Sequence, residues 1–165
     1  MSDAAVEKKQ SVSKCIYWVR TGQTTVDAAV DGNNSKNTPN VELTGLGVDH
    51  VNRLQKAFAH QTFDTVFVSP LRAAQQSLVT MRIQSKTIIT DDRCRAWKQY
   101  PSDFLPTERV RSESLEDLYG RVASFLETLA SLPDSTILVV THPEILSMIF
   151  EYDVPCGTYV VQQTT

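Results

Sequence analysis

The sequence predicts an α/β layer fold, a three-layer α/β/α sandwich around a largely parallel central sheet. Three observations carry this. Short apolar runs of strand-forming residues recur at 15–19, 63–69, 87–90 and 136–141. Segments with helical periodicity separate them, and strands alternating with helices bury a parallel sheet between helical layers. The run 136–141 (TILVVT) is apolar almost throughout, the mark of a strand covered on both faces.

The elements follow in order. Residues 1–14 are polar and read as an N-terminal tail, leaving 15–165 as one domain, within the roughly 100–200 residues usual for one. Cys15-Ile16-Tyr17-Trp18-Val19 is a strand, too short for a helix. Residues 25–42 carry the turn signals Asp31-Gly32-Asn33-Asn34 and Thr38-Pro39-Asn40 and read as a long surface loop. Thr44 caps a helix running to His60, with Val48, Val51, Leu54, Ala57 and Phe58 at helical spacing. Residues 63–69 form the second strand. Ser69 is the expected cap and Pro70 the expected first turn of a helix ending at Met81.

Residues 87–90 are the third strand, and 91–112 are irregular and rich in charge and aromatics. Ser114-Leu115-Glu116-Asp117 is a capping box that opens an amphipathic helix. Its core face is Leu115, Leu118, Val122, Phe125, Leu126 and Leu129, and Pro133 stops it. After the strand at 136–141, His142-Pro143-Glu144 opens a helix to Phe150, and 158–161 is a last strand.

Sixteen basic residues against nineteen acidic ones give a net charge of -3. That excludes autonomous nucleic-acid binding and attachment to an anionic membrane, both of which need a clustered basic excess. A local basic pocket stays open. No apolar run approaches a transmembrane span. Cys15, Cys94 and Cys156 form no C-x-x-C pair, so neither a structural zinc nor any other cofactor is expected. Reduced thiols fit a cytoplasmic or nuclear location.

In parallel sheets the functional site lies beyond the carboxyl ends of the strands. Three segments fall there: Arg20–Thr24, Ser69–Ala73 and Thr141-His142. These segments resemble the histidine phosphatase (phosphoglycerate mutase-like) superfamily. The strand followed by R-H-G-x-T is matched by Arg20-Thr21-Gly22-Gln23-Thr24, and L-T-x-x-G by Leu43-Thr44-Gly45-Leu46-Gly47. S-P-L-x-R-A-x-Q is matched from Ser69-Pro70-Leu71 onward, and the late strand ending in H-G-G by His142-Pro143-Glu144. Order and spacing agree over residues 15–150, and the chain's length resembles the compact phosphohistidine-phosphatase branch.

The resemblance implies a neutral imidazole that attacks a phosphoryl group, two arginines and a second histidine that hold its oxygens, and a carboxyl that protonates the leaving group. Such transfer rests on positioning and charge stabilisation. This chain departs from that set. Thr21 stands at the nucleophile position, and a threonine hydroxyl is a weak nucleophile without an activating base. Counting from Ser69 without a gap places Ala73 where the resemblance has its second arginine. Arg72 is one residue early, about 100° around a helix. A one-residue deletion would align Arg72 instead. The ungapped register buries Ala74, Ser77, Leu78 and Met81, a coherent apolar stripe, and is preferred; Arg72 is a phosphate ligand only where it curls inward to the site.

Pro143 offers no N–H where the resemblance has glycine, and Glu144 adds negative charge. Asp91, Asp92, Asp103 and Glu108 are candidate acids, though solvated loop charge is the preferred reading for them. His50 and His60 are read as solvated.

Arg20 and His142 are therefore either weak ligands of a phosphate-containing molecule or inherited scaffold. The expected function is a pseudoenzyme, an interaction or scaffold subunit with unknown protein partners. Arg93, Arg95, Trp97, Lys98, Tyr100 and Phe104 would form a contact surface, unless Trp97 and Phe104 tuck under the loop. The alternative is a small phosphatase, a phosphoric monoester or phosphohistidine hydrolase, with altered chemistry resting on His142 and Arg20.

Overall fold

The computed structural model describes residues 13–28 and 34–164. Most of the expected tail, and the Asp31-Gly32-Asn33 part of the first turn signal, lie outside those residues. Five strands form one sheet in the order β3-β2-β4-β1-β5. They are β1 (Lys14–Arg20), β2 (Thr62–Val68), β3 (Gln84–Thr90), β4 (Thr136–Thr141) and β5 (Tyr159–Thr164). All neighbours are parallel except β5, which runs antiparallel to β1.

Alternation along the strands divides the core in two. Val19, Val66, Val68, Leu138 and Val140 face α1 (Gly45–Asn52), α2 (Leu54–Ala57) and α3 (Arg72–Met81). Ile16, Trp18, Phe67, Ile137 and Val139 face α4 (Leu115–Ser131) and α5 (Pro143–Phe150). Side chains on opposite sides of successive residues are what a pleated strand dictates. Residues 137–140 are each fully buried, as their apolar run predicts. The α/β sandwich with a largely parallel sheet is thus the observed fold. Among the described residues, no helix is long and apolar enough to cross a membrane.

Several elements differ from expectation. β1 begins at Lys14, whose side chain is buried and whose Nζ donates to the carbonyls of Leu129, Ala130 and Leu132 at the end of α4. The helix from Thr44 breaks at Arg53 into α1 and α2 and ends near Ala57. Pro70 is not the first turn of α3: Leu71 is the N-cap, and Ser69 is diverted to the site. β3 starts three residues before Thr87. Leu115, at the first position of α4, is exposed rather than part of the core face. The Ser114 cap is as expected, accepting from the Asp117 amide at 3.1 Å.

Candidate functional site

Parallel pairing brings the carboxyl ends of β2, β4 and β1 side by side, with Arg20 opposite Thr141 and Val68 opposite Val140. The next residues, Thr21, Ser69 and His142, therefore meet. The Thr21 amide donates to the Thr141 carbonyl at 3.1 Å, and the Ser69 amide to the Val140 carbonyl at 3.1 Å. Behind Thr21, the chain crosses the start of α1 closely. A Cβ on Gly22 would lie 2.5 Å from the Gly47 carbonyl oxygen, and one on Gly47 would strike the Gln23 backbone. Two glycines are needed at this crossing because neither chain can carry a side chain there. Thr44 fixes it by capping α1 at the Gly47 amide (3.0 Å), while its own amide donates to the Gln23 carbonyl (2.9 Å).

These ends frame a small cavity of about 80 Å³, lined by Thr21, Thr24, Ala73, Ala96, Ser102 and His142 among others, together with the carboxyl side chains of Asp27, Asp103 and Glu144. It is below the roughly 300–1,000 Å³ of ordinary small-molecule sites. His142 is 6% exposed, and its Nε2 lies 2.7 Å from the Ser69 hydroxyl. Burial, reinforced by the charges of Arg95, Arg121 and Arg20, pushes it down to about 3. The ring is neutral at physiological pH. The Thr21 hydroxyl makes no hydrogen bond to His142 or to any other described residue.

The acids separate by environment. Asp103 accepts from the amides of Gln99 and Tyr100, both at 2.9 Å, and burial pushes it up. Burial also pushes Glu144 up, and its Oε2 is enclosed without a hydrogen-bond partner. Asp91 grips Arg93, and Asp92 and Glu108 grip Arg95, so these three face away from the cavity chemistry. Among the described residues, no cluster of three or more His, Cys, Asp or Glu side chains could hold a metal.

The guanidinium groups point elsewhere. Arg20 Nη1 donates to the Val154 carbonyl at 2.6 Å, and Nη2 lies 3.6 Å from Asp27. Arg72 is half exposed and donates to Glu42 at 2.8 Å across the outer loop. Ala73 takes the position facing the cavity, and Ala74, Ser77, Leu78 and Met81 are buried, the stripe of the ungapped register.

A family model for the histidine phosphatase superfamily, branch 1, matches residues 16–95 and 80–154. The chain belongs to that superfamily. Its fold is that of known members at low sequence identity. An Escherichia coli protein proposed to be an alpha-ribazole-5′-P phosphatase superposes with a TM-score of 0.71 at 18% identity, over 92% of this chain and 91% of that one. The alpha-ribazole phosphatase of Shigella flexneri gives 0.67 at 18%, over 89% of each chain. A proposed phosphohistidine phosphatase SixA from Nakamurella multipartitia gives 0.54 at 16%, over 92% of this chain and 85% of that one. No curated protein sequence matches the chain.

Thr21 and His142 line the cavity; Arg20 reaches its edge at Asp27; Arg72 lies outside it. Part of the surface expected over 91–112 is tucked under the loop, the alternative that the sequence left open. Arg95 is 1% exposed and Phe104 3%. Trp97 is half-buried and donates to the Glu113 carbonyl at 3.0 Å. Of the six residues, only Tyr100 is largely exposed. Charge that looks solvated in sequence is consumed by internal ion pairs, and the aromatics pack under it. His50 is half-buried rather than solvated, against Gly157, with Nδ1 enclosed and unpartnered. The sequence reading missed Asp27, Ala96 and Ser102 among the cavity residues; the closeness of Asp27 to Thr24 is a signal that could have found the first.

Proposed function

We propose that this protein is a pseudoenzyme: a histidine phosphatase-like domain that performs no useful phosphoryl transfer and serves as an interaction or scaffold subunit. The observation that carries the reading is the make-up of the cavity. It presents a hydroxyl at Thr21, a methyl at Ala73, three carboxyl side chains, and no arginine or lysine. A phosphoryl group needs cationic donors around its oxygens, and a carboxylate there repels it. His142 can accept or donate one hydrogen bond through Nε2, and Ser69 occupies it. The alternative of a phosphatase run by His142 and Arg20 needs His142 to activate Thr21 or water, and Arg20 to face the cavity. Three unpaired cysteines favour a reducing location, in the cytoplasm or nucleus.

The test is turnover. Purified protein is assayed with a small aryl phosphate and with a phosphohistidine peptide, beside Thr21→Val and His142→Ala. The expected result is no hydrolysis above the two variants. Hydrolysis lost in His142→Ala, whether it is lost in Thr21→Val (Thr21 as nucleophile) or survives it (water as nucleophile), or a covalent phosphate trapped on the wild type, overturns the proposal. Affinity capture from native extract then identifies the partner.

A further inference from the structure

The cavity lacks cationic side chains, yet it is rich in groups that need a donor. Asp27 is answered by Arg20 and by the amide and hydroxyl of Thr24. Asp103 is held by two backbone amides. Glu144 keeps Oε2 enclosed without a partner. Independently of these acids, Thr21 is 2% exposed and lines the cavity, its hydroxyl bonded to no described residue. Buried polar atoms are nearly always satisfied; Glu144 Oε2 is the enclosed atom in want of a partner, the Thr21 hydroxyl is a second acceptor on the wall of the same cavity, and a carboxylate oxygen is best satisfied by a charged N–H donor.

We infer that the cavity binds the head of a protonated primary amine, with Glu144 and Asp103 answering its charge and the Thr21 hydroxyl accepting one of its N–H bonds. The inference builds on the non-catalytic reading of the same site and supplies the chemistry of what enters it. Size agrees. The cavity holds about 80 Å³, and at about 30 Å³ per water-sized group that admits an ammonium and one or two methylenes. The remaining chain lies outside, so a free alkylamine and a lysine side chain are equivalent at the buried end.

Charge agrees as well. Burial raises Asp103 and Glu144, and the neighbouring charges of Asp103 and Asp27 raise Glu144 further; a cation among them offsets that mutual repulsion. The neighbouring guanidinium groups are already engaged, Arg20 with Asp27, Arg95 with Asp92 and Glu108, and Arg121 with Glu113, and the Lys36 ammonium sits over the Tyr100 ring, 4.5 Å from its centroid. His142 contributes no positive charge at neutral pH.

Amide NMR of the full chain tests this. Titration with n-butylammonium chloride is expected to give saturable shifts at the amides of Thr21, Gly22 and Glu144. Tetramethylammonium chloride, too bulky for the cavity, is expected to give none. Glu144→Gln should weaken the affinity at least tenfold, and Thr21→Val should weaken it too. A peptide with blocked termini and one free lysine side chain separates the sources: half-saturation at lower concentration than butylammonium assigns the site to a protein lysine, and equal concentrations assign it to alkylamines at large. The absence of saturable shifts with butylammonium in the wild type, or saturation of the same amides by inorganic phosphate, overturns the inference. This readout is binding, so it fails separately from the turnover test, which bears on catalysis alone.

Discussion

His142 is pushed down from an ordinary 6.5 to about 3, chiefly by burial and then by Arg95, Arg121 and Arg20. The unfolded chain takes up this proton near 6.5 and the folded one only near 3. Folded stability therefore falls as pH drops across that window. Asp103 and Glu144 act in the opposite sense. Their folded forms hold a proton more tightly than the unfolded chain, so their contribution is present at low pH and is lost as pH rises through their raised values. Asp64, held down to about 2 by Lys86 and the amides of Thr136 and Ser135, adds acid sensitivity only at lower pH. The His142→Gln variant removes the first contribution alone. We expect the urea midpoint of the wild type to fall more steeply between pH 6.5 and 4 than that of the variant. Parallel curves would mean that His142 titrates normally in the fold.

At the scale of the elements, α4 shows how a helix end is completed from a distance. Its last carbonyls have no intrahelical donor. Lys14, more than a hundred residues earlier, donates to the carbonyls of Leu129, Ala130 and Leu132. Its positive charge also meets the negative end of the helix dipole. Lys14→Met keeps the buried stem and removes the donor, so we expect a loss of about 1–3 kcal/mol in urea unfolding. A change within a few tenths would show that water replaces the ammonium. The N-terminal end of α4 was legible because Ser114 and its partner are three residues apart. The C-terminal end was not, because its partner is remote. Pro70 misled for a related reason. Ser69 looks like a local cap, but His142 and the Leu71 amide share its hydroxyl, and the helix starts later.

Across the whole molecule, the irregular segment after β3 is fastened by buried charge rather than by apolar packing alone. Arg121, on α4, donates to the carbonyls of Arg93, Arg95 and Ala96 and to both oxygens of Glu113. Its side chain is 14% exposed and that of Glu113 9%. Truncating one partner of a buried ion pair strands the other and costs about 3–5 kcal/mol. Arg121→Met should lower stability on that scale and speed hydrogen exchange at residues 93–98 beyond the rest of the sheet. Uniform loss of protection would instead make the segment inseparable from the core.

This fastening is also why Arg95 and Phe104, read from the sequence as part of a contact surface or as tucked under the loop, are buried. Composition reports that Arg95, Trp97 and Phe104 are present, but not that Glu108 and Glu113 lie where they absorb the charge. By contrast, the strand residues 137–140 and the capped start of α4 were determined by the sequence alone, since periodicity and capping act over a few residues. So was the meeting of Thr21 with His142, because each directly follows a strand and parallel pairing aligns strand ends. Only the tertiary structure decided that Arg20 turns to Val154 and Arg72 to Glu42, and that Asp27, Asp103 and Glu144 face the cavity. A side chain's direction depends on partners far along the chain, and local pattern carries no record of them.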